Sequence, residues 1–219
     1  MIIGITGSFG SGKTTVANIF GKYGFRVINV DKLYHGIYSK NKILKSRIKK
    51  EFGTLNRNKI KKIVFNDSKK LKRLNELTHP LIIKEIKRII KNNNVKIIID
   101  APLLIEANAQ KLVDKIILVK CDKKEQISRI LKNKKYSKKE IDQILKSQIP
   151  LNEKIKHADF VVDNNKAIKQ TESQIKNMID AVSSPWAINI SPKKKIPIGK
   201  LERWNNWNLQ PEIQILLAQ

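Results

Sequence analysis

Short runs of apolar residues recur along the chain, separated by stretches in which apolar residues return every three or four positions. The runs predict β-strands and the spaced stretches predict helices. In the first, third and fourth runs the apolar residues are continuous, which is typical of strands covered on both faces. The alternation of strands and helices predicts a three-layer α/β fold with helices on both faces of a five-stranded parallel sheet. The predicted strands are residues 1–6, 25–30, 95–100, 115–119 and 158–163.

Two of the helical stretches contain interruptions. The stretch over residues 32–52 has a break near residues 39–41. The stretch over residues 68–91 contains Pro80, so Thr78-His79-Pro80 either kinks one helix or caps and begins a second helix at Thr78. The other predicted helices are residues 13–22, 57–65, 123–133, 138–147 and 165–182.

The carboxyl-terminal part of the chain differs from the rest. Residues 183–219 contain all three tryptophans and show little periodicity. We therefore predict one main domain over residues 1–182, followed by a tail of unknown role that packs on the domain or on a second copy.

The first predicted strand leads directly into the pattern G-x-x-x-x-G-K-[ST] at residues 7–14. In this pattern glycines let the backbone N–H groups of the loop point inward and cradle phosphates. Lys13 is placed to reach the β- and γ-phosphates, and the Thr14 hydroxyl is placed to hold Mg²⁺. The following helix would direct its positive end at the same phosphates. The residues expected to bind ATP are Gly7, Ser8, Phe9, Gly10, Ser11, Gly12, Lys13, Thr14 and Thr15.

Asp31 follows the second predicted strand and opens the next helix. The carboxyl ends of parallel strands form the ligand-binding edge of an open α/β sheet, so we expect Asp31 to lie near the phosphates. A carboxylate there can orient an attacking hydroxyl or accept its proton. The alternative is that Asp31 only caps the helix that begins at Lys32.

The chain has a net charge of +26 and an isoelectric point near 10.1. Lysines number 38 and arginines 7, and the lysines are spread along the whole sequence. This distribution favours compositional bias with solvated helix faces, although affinity for a polyanion stays open, so a nucleic-acid partner is not required.

The single cysteine, Cys121, excludes an internal disulfide and predicts a reduced thiol in or near the core. No apolar run is long enough for a transmembrane helix, and we expect a cytoplasmic protein with no membrane partner.

Further motifs occur in a fixed order, and together with the phosphate loop they resemble the dephospho-CoA kinase family over roughly residues 1–180. The pattern D-x-P-L-L-x-E with a preceding H-P is the most specific part of this resemblance. The matching segments are residues 4–17, 31–35, 55–57, 63–65, 77–82, 100–106, 148–154 and 158–164.

The resemblance implies transfer of the γ-phosphoryl group of ATP, with Mg²⁺, to the ribose 3′-hydroxyl of dephospho-CoA. It implies catalytic roles for Asp31, Lys13 and Arg129, and metal binding by Thr14 and Asp100. It also implies a helical acceptor-binding region at about residues 32–92 and a lid at about residues 129–148. We expect a monomer or a small homo-oligomer. The residues expected to bind the acceptor are Asp31, His79, Pro80, Asp100, Pro102, Leu103 and Leu104.

The chain departs from the family pattern at several positions. Asn29 stands where the family has a first aspartate before Asp31, and Asn133 and Gln143 stand where lid arginines are expected. Lys132, Lys134 and Lys135 could supply positive charge to the lid, but without the forked geometry of a guanidinium group. This composition raises the possibility of a slow enzyme or an altered lid.

Other residues of the matching segments have structural alternatives. Asp100 could simply end a strand, and Glu106 is expected on the surface. His79 could belong to a capped turn, and Arg57 could form an ion pair. The alternative functions are another small-molecule or nucleoside kinase, a nucleic-acid-binding NTPase, or a relative that binds ATP without transferring phosphate.

Overall fold

The computed structural model describes residues 1–92, 95–106, 109–132 and 136–183. The predicted tail, apart from Ser183, lies outside the described residues. The chain forms two compact units. The first contains residues 1–27 and the described residues from Val95 onward, and the second contains the described residues of Ile28–Asn94. The two units are called the loop unit and the helical unit below.

A five-stranded sheet forms the centre of the fold, with the strand order β2-β3-β1-β4-β5. The pairs β1–β3, β1–β4 and β4–β5 are parallel. Almost every residue of β1, β3 and β4 is buried, and because successive side chains point to opposite faces, both faces of these strands are covered. The predicted α/β fold is confirmed. The strands are β1 (Ile2–Gly7), β2 (Arg26–Asn29), β3 (Ile97–Asp100), β4 (Lys115–Lys120) and β5 (Phe160–Asp163).

Helices fill the segments between the strands. Their bounds agree with the sequence pattern, but α8 and one turn of 3₁₀ helix at Ala109–Leu112 were not predicted because they are too short to show a period. The helices are α1 (Lys13–Lys22), α2 (Val30–Lys40), α3 (Lys42–Phe52), α4 (Arg57–Asn66), α5 (Ser68–Lys91), α6 (Lys123–Lys132), α7 (Lys138–Ser147), α8 (Leu151–Ile155) and α9 (Ile168–Ser183).

The core of the loop unit lies between the sheet and the helices α1 and α9. Branched aliphatic residues of β1, β3, β4 and β5 pack there against one face of α1 and against Ile175 of α9. Burial of each such side chain contributes on the order of 1.5–3 kcal/mol, so this packing fixes α1 directly behind the loop that precedes it. The core residues are Ile3, Ile5, Val16, Ala17, Ile19, Phe20, Phe25, Ile98, Ile117, Val119, Val162 and Ile175.

The helical unit consists of α2 to α5, with α5 packed against each of the other three helices. Each of the four helices begins at a side-chain cap, provided by Asn29, Asn41, Asn56 and Asp67. Asn41 ends α2 and caps α3, which explains the break predicted near residues 39–41. Among the described helices, none combines the length and the apolar character needed to cross a membrane.

Helix α5 runs without interruption through Pro80. Of the two alternatives left open at Thr78-His79-Pro80, the second helix capped at Thr78 is therefore wrong. Pro80 has no N–H to donate to the carbonyl of Glu76, but its ring is on the exposed side of the helix. The Thr78 hydroxyl instead donates to the carbonyl of Leu74 at 2.9 Å, and the apolar face of α5 keeps the helix packed on both sides of the proline.

Candidate active site

Hydrogen bonds to one of its own backbone carbonyls stabilise the loop between β1 and α1. The carbonyl of Ser8 accepts hydrogen bonds from the backbone N–H of Ser11 at 3.1 Å and from Lys13 Nζ at 2.8 Å. Gly12 has φ +90°, and a Cβ at this position would overlap Asn164 Nδ2. Only glycine therefore fits at Gly12, for both backbone and packing reasons.

The first turn of α1 has no side-chain cap and no acidic residue, and its N-cap residue is Gly12. A helix offers no internal acceptor to the N–H groups of its first turn, here those of Lys13, Thr14 and Thr15. In the helices α2, α3, α4, α5 and α7, by contrast, a side chain accepts a hydrogen bond from such a group. The first turn of α1, in which Thr14 and Thr15 are exposed, therefore suits an anionic ligand, as the motif predicts.

Asp100 lies beside this helix end. It is the last residue of β3, pairs in register with Ile5 of β1, and is only 1% exposed. The Thr14 hydroxyl donates to Asp100 Oδ2 at 2.9 Å. A hydroxyl and a carboxylate are oxygen ligands of the kind that Mg²⁺ prefers, so the two side chains fit a nucleotide-bound Mg²⁺. No group of three His, Cys, Asp or Glu residues that could hold a metal occurs among the described residues, and Mg²⁺ on a nucleotide needs only one or two protein ligands.

The segment after Asp100 is attached to β1. The backbone N–H of Ala101 donates to the carbonyl of Ile5 at 3.1 Å, and the Thr6 hydroxyl donates to the carbonyl of Pro102 at 3.0 Å. Leu103 and Leu104 are buried, and Leu104 packs over Gly4. The segment thus holds its backbone at the carboxyl end of β1 while its leucine side chains contribute to packing.

Arg129 lies on α6 and reaches the same loop. Its guanidinium group donates to Glu125 Oε1 at 2.8 Å and to the carbonyl of Asn164 at 2.7 Å. Asn164 in turn donates through Nδ2 to the carbonyl of Ser11 at 2.9 Å and accepts from the Thr171 hydroxyl at 3.0 Å. A Cβ on Gly12 would lie 3.4 Å from Arg129 Nη1, so the guanidinium group stands against the loop.

Two buried glutamines contact the loop, and sequence reasoning assigned a role to neither, although Gln148 begins the matching segment 148–154. The backbone N–H of Phe9 donates to Gln148 Oε1 at 2.8 Å, and Gln126 Nε2 donates to the carbonyl of Phe9. The Phe9 ring packs edge-to-face against Tyr136, with ring centroids 5.2 Å apart. Neither glutamine belongs to a local motif with the loop, because each is more than 100 residues away in sequence, so no spacing rule could reveal them.

The expectation that Glu106 lies on the surface is wrong. Glu106 is buried and forms an ion pair with Lys154 of α8, which is 0% exposed. The short helix α8 contacts β4, and this packing buries the lysine together with its carboxylate partner. A charge can be buried in this way only when it is paired, which the sequence around Glu106 does not indicate.

In the helical unit, Asp31 is a half-buried residue of the first turn of α2. The cap of α2 is Asn29, whose Oδ1 accepts from the backbone N–H of Lys32 at 2.8 Å. The alternative that Asp31 caps this helix is therefore wrong. Asn29, which replaces the first aspartate of the family pattern, performs this role.

His79 is buried on α5, beside the exposed Pro80, and is not part of a capped turn. Burial lowers the pKa of His79 to about 3, so its imidazole is neutral near pH 7.

Arg57 begins α4 after its cap Asn56, and its Nη2 lies 3.2 Å from His35 Nε2. Burial, and then the charge of Arg57, lower the pKa of His35.

Part of the predicted lid lies beyond what the structure describes. Asn133, Lys134 and Lys135 lie outside the described residues, and the side chain of Gln143 is not described.

Cys121 follows β4 and is half-buried, as predicted for a thiol near the core. Burial raises the pKa of the Cys121 thiol, which keeps it protonated near pH 7.

Comparison with known families gives a direct match. The family model described as dephospho-CoA kinase matches residues 1–170, which include the loop, Asp31, His79, Asp100 and Arg129. The chain belongs to the dephospho-CoA kinase family. The resemblance stated from the sequence motifs is confirmed, and the protein is a kinase.

Relatives of this family align over most of the chain. The dephospho-CoA kinase of Aquifex aeolicus is 36% identical over 191 residues, which cover 83% of this chain and 97% of that protein. The structure of dephospho-CoA kinase from Campylobacter jejuni superimposes with a TM-score of 0.60 and 28% identity, over 83% of this chain and 96% of that one. A Thermus thermophilus protein gives a TM-score of 0.75 and 27% identity, over 84% of this chain and 98% of that one.

These comparisons bear on the alternatives left open by the sequence. They support a kinase with a P-loop fold, and they give no support to another acceptor class or to a nucleic-acid-binding NTPase.

Proposed function

We propose that the protein transfers the γ-phosphoryl group of ATP to the ribose 3′-hydroxyl of dephospho-CoA and releases CoA and ADP. The observation that carries this proposal is the hydrogen bond from Thr14 to Asp100 beside the uncapped first turn of α1, in a member of the dephospho-CoA kinase family. The N–H groups of this turn and the Lys13 ammonium form an anion site, and the adjacent carboxylate suits a cation that accompanies the anion.

The loop residues bind and hold the nucleotide. The N–H groups of the first turn of α1 bind phosphate oxygens, and Lys13 balances the charge that develops on the γ-phosphoryl oxygens. Thr14 and Asp100 would hold Mg²⁺, which when bound neutralises part of the phosphate charge. Arg129 stands against Gly12 and is placed to stabilise the same phosphoryl oxygens.

The acceptor side of the reaction is assigned to the helical unit. Asp31 follows the carboxyl end of β2 by two residues, which is where an open parallel sheet places its ligands. In the proposed step a bond forms between the acceptor oxygen and the γ-phosphorus. The bond from this phosphorus to the β–γ bridging oxygen breaks, and ADP leaves with the electron pair. Asp31 orients the hydroxyl and takes its proton.

His79 is assigned to acceptor binding as a neutral group. Because burial keeps the pKa of His79 near 3, its imidazole can donate or accept a hydrogen bond but carries no charge for a phosphate. Attraction of the anionic acceptor therefore falls to the lysines and arginines of the chain, whose net charge is +26.

An acceptor screen tests the reaction. The purified protein is given ATP and Mg²⁺ together with dephospho-CoA, a nucleoside, a nucleoside monophosphate, shikimate or a polynucleotide, and ADP release is measured. We expect release with dephospho-CoA alone, with a product that carries one additional phosphoryl group on the 3′-oxygen by phosphorus NMR. The Lys13→Ala variant gives the background rate. Release driven by shikimate, a nucleoside or a polynucleotide, with none from dephospho-CoA, would overturn the proposal.

A pair of isosteric substitutions tests the role of Asp31. We expect Asp31→Asn to lower kcat by at least about tenfold, because the amide cannot accept the hydroxyl proton. Asp67→Asn in the same unit is the matched control, since asparagine caps α5 as well as aspartate does and kcat should not change. Full activity of Asp31→Asn would limit Asp31 to a favourable charge at the start of α2.

A further inference from the structure

The backbone of Phe9, in the phosphate loop, is hydrogen-bonded through both its N–H and its carbonyl to side chains from distant parts of the chain. The N–H of Phe9 donates to Gln148 Oε1 at 2.8 Å, and the carbonyl of Phe9 accepts from Gln126 Nε2. Gln126 is 6% exposed and Gln148 is 8% exposed. The orientation of each amide is fixed by its partner, because a backbone N–H requires an acceptor and a backbone carbonyl requires a donor.

The two glutamines come from both ends of the predicted lid. Gln126 lies on α6, three residues before Arg129, and Gln148 follows directly after α7. The segment after Gln148 is anchored, because the carbonyl of Pro150 accepts the first hydrogen bonds of α8 and Lys154 of that helix is buried against Glu106. Gln148 therefore contacts the loop from a fixed base.

Within the loop the two glutamines bond only to Phe9, so these hydrogen bonds leave the rest of the loop available to a ligand. Beyond Phe9 the chain turns at Gly10, with φ +80°, and reaches the first turn of α1 at Lys13. A glycine-containing loop of this kind has many accessible backbone conformations, and only some of them direct its N–H groups toward a phosphate. The hydrogen bonds fix the backbone of Phe9, directly before Gly10. They select the binding conformation of the loop in advance, so that less conformational entropy is lost when ATP binds.

We propose that Gln126 and Gln148 are positioning residues for phosphoryl transfer, which fix the phosphate loop through the backbone N–H and the backbone carbonyl of Phe9. The proposal rests on the proposed function of the loop as the ATP site. Neither residue is assigned a contact with substrate. Their effect is on ATP and on turnover, and binding of dephospho-CoA is unaffected.

The two hydrogen bonds have opposite polarity, and this gives a sharp test. A glutamate at position 148 still presents an oxygen to the N–H of Phe9. A glutamate at position 126 presents an oxygen to the carbonyl of Phe9 and cannot donate. Both variants add one negative charge beside the backbone of the same residue, Phe9, so the difference between them isolates the hydrogen bond. Gln126→Met and Gln148→Met remove each hydrogen bond without adding charge.

The experiment measures kcat, the KM of each substrate, and binding of a non-hydrolysable ATP analogue by calorimetry. Loss of a hydrogen bond that leaves a buried partner unsatisfied costs roughly tenfold in binding. We expect Gln126→Glu, Gln126→Met and Gln148→Met to weaken analogue binding and raise the KM for ATP by about this factor. We expect Gln148→Glu to stay within about threefold of the wild type, and the KM for dephospho-CoA to change in none of them. Gln170→Glu and Gln170→Met, at an exposed position of α9, are the matched controls and should behave as wild type.

Three results would overturn the proposal. They are equal effects of glutamate at positions 126 and 148, equal changes in the KM of both substrates, and normal analogue binding in both methionine variants. Thermal unfolding identifies variants that do not fold, and at each position the second substitution then decides the question. Analogue binding requires no acceptor, so failure of the acceptor screen and failure of this proposal are separate observations.

Discussion

The phosphate loop and the helical unit hold their polar groups in different ways. Around the loop, buried side chains from distant parts of the sequence contact the backbone, as Gln126, Gln148 and Asn164 do. In the helical unit many polar contacts are local, such as the helix caps and the exposed pair Arg88–Glu85 within α5, and contacts that join two helices, such as Lys70–Glu51, are only partly buried. The difference shows that the loop conformation depends on the completed fold, whereas each helix of the helical unit carries the signals for its own start.

This contrast predicts a ranking of stability effects. A polar group that is buried and paired across the fold has no replacement when its partner is removed, whereas a cap or a surface pair has water as an alternative. Substitutions should therefore cost most at buried contacts of the loop unit and least at exposed pairs of the helical unit.

The largest expected effect is at the buried ion pair. Lys154→Met should lower the free energy of unfolding by about 3–5 kcal/mol, because it leaves the carboxylate of Glu106 buried without its partner. Chemical denaturation measures this loss. Lys156→Met is the control, since Lys156 pairs with Glu153 at the surface two residues further on. The double variant Glu106→Leu/Lys154→Met should recover much of the stability, and a cost at Lys154 equal to that at Lys156 would remove the distinction.

The buried histidine of the helical unit, His79, should give the second-largest effect. The pKa of His79 is about 3 in the folded chain and about 6.5 when unfolded, so the unfolded state binds more protons between these values. Its contribution to stability is fully present above about pH 6.5 and decreases as the pH falls toward 3. Between pH 7 and pH 5 the wild type should lose up to about 2 kcal/mol more than His79→Gln.

The control for this prediction is His157→Gln, at an exposed position of the loop unit. This variant should keep the pH dependence of the wild type. If His79→Gln keeps it as well, protonation of His79 does not contribute to the acid sensitivity of the fold.

A smaller effect is expected at a helix cap. Asn41→Ala removes the acceptor for the backbone N–H of Leu44 and should lower the free energy of unfolding by about 1 kcal/mol. Asn58→Ala, at an exposed position inside α4, makes the same chemical change without removing a cap and should be neutral or slightly stabilising. Equal effects of the two substitutions would contradict the assignment of Asn41 as the cap of α3.

The smallest effect is expected at the surface. Arg88→Ala breaks the pair with Glu85, and because both side chains are solvated we expect no measurable change in the denaturation midpoint. A double-mutant cycle with Glu85→Ala, run at low and at high salt, measures the coupling. A large coupling that persists in high salt would show that surface pairs stabilise the helical unit more than the comparison implies.

The same contrast explains what could be predicted from the sequence. The strands, the loop at residues 7–14 and the break at Asn41 are encoded by nearby residues, and these predictions are confirmed by the structure. Glu106 was misplaced because its partner Lys154 comes from a helix much later in the chain. The alternative of a second helix that begins at Thr78 was wrong, because packing of the apolar face of α5 overrode the local signal of Pro80.

Predictions that join the two units remain predictions. Asp31 was selected from its position after β2 and from the family pattern, and the Asp31→Asn variant tests its role. The sequence could not reveal the contacts of Gln126 and Gln148 with the loop, even though Gln148 begins a matching segment, because a hydrogen bond from a side chain to a distant backbone group leaves no pattern in the residues around it.

The bond between Lys13 and its own loop has a consequence for nucleotide affinity. Lys13 is 8% exposed as a residue, and its ammonium group donates to the carbonyl of Ser8. The water shell of this ammonium group is therefore removed when the chain folds. When a phosphate binds, Lys13 exchanges the carbonyl oxygen of Ser8 for a phosphate oxygen, and the ammonium group is already dehydrated. Most of the attraction between the two charges then remains available to hold the nucleotide.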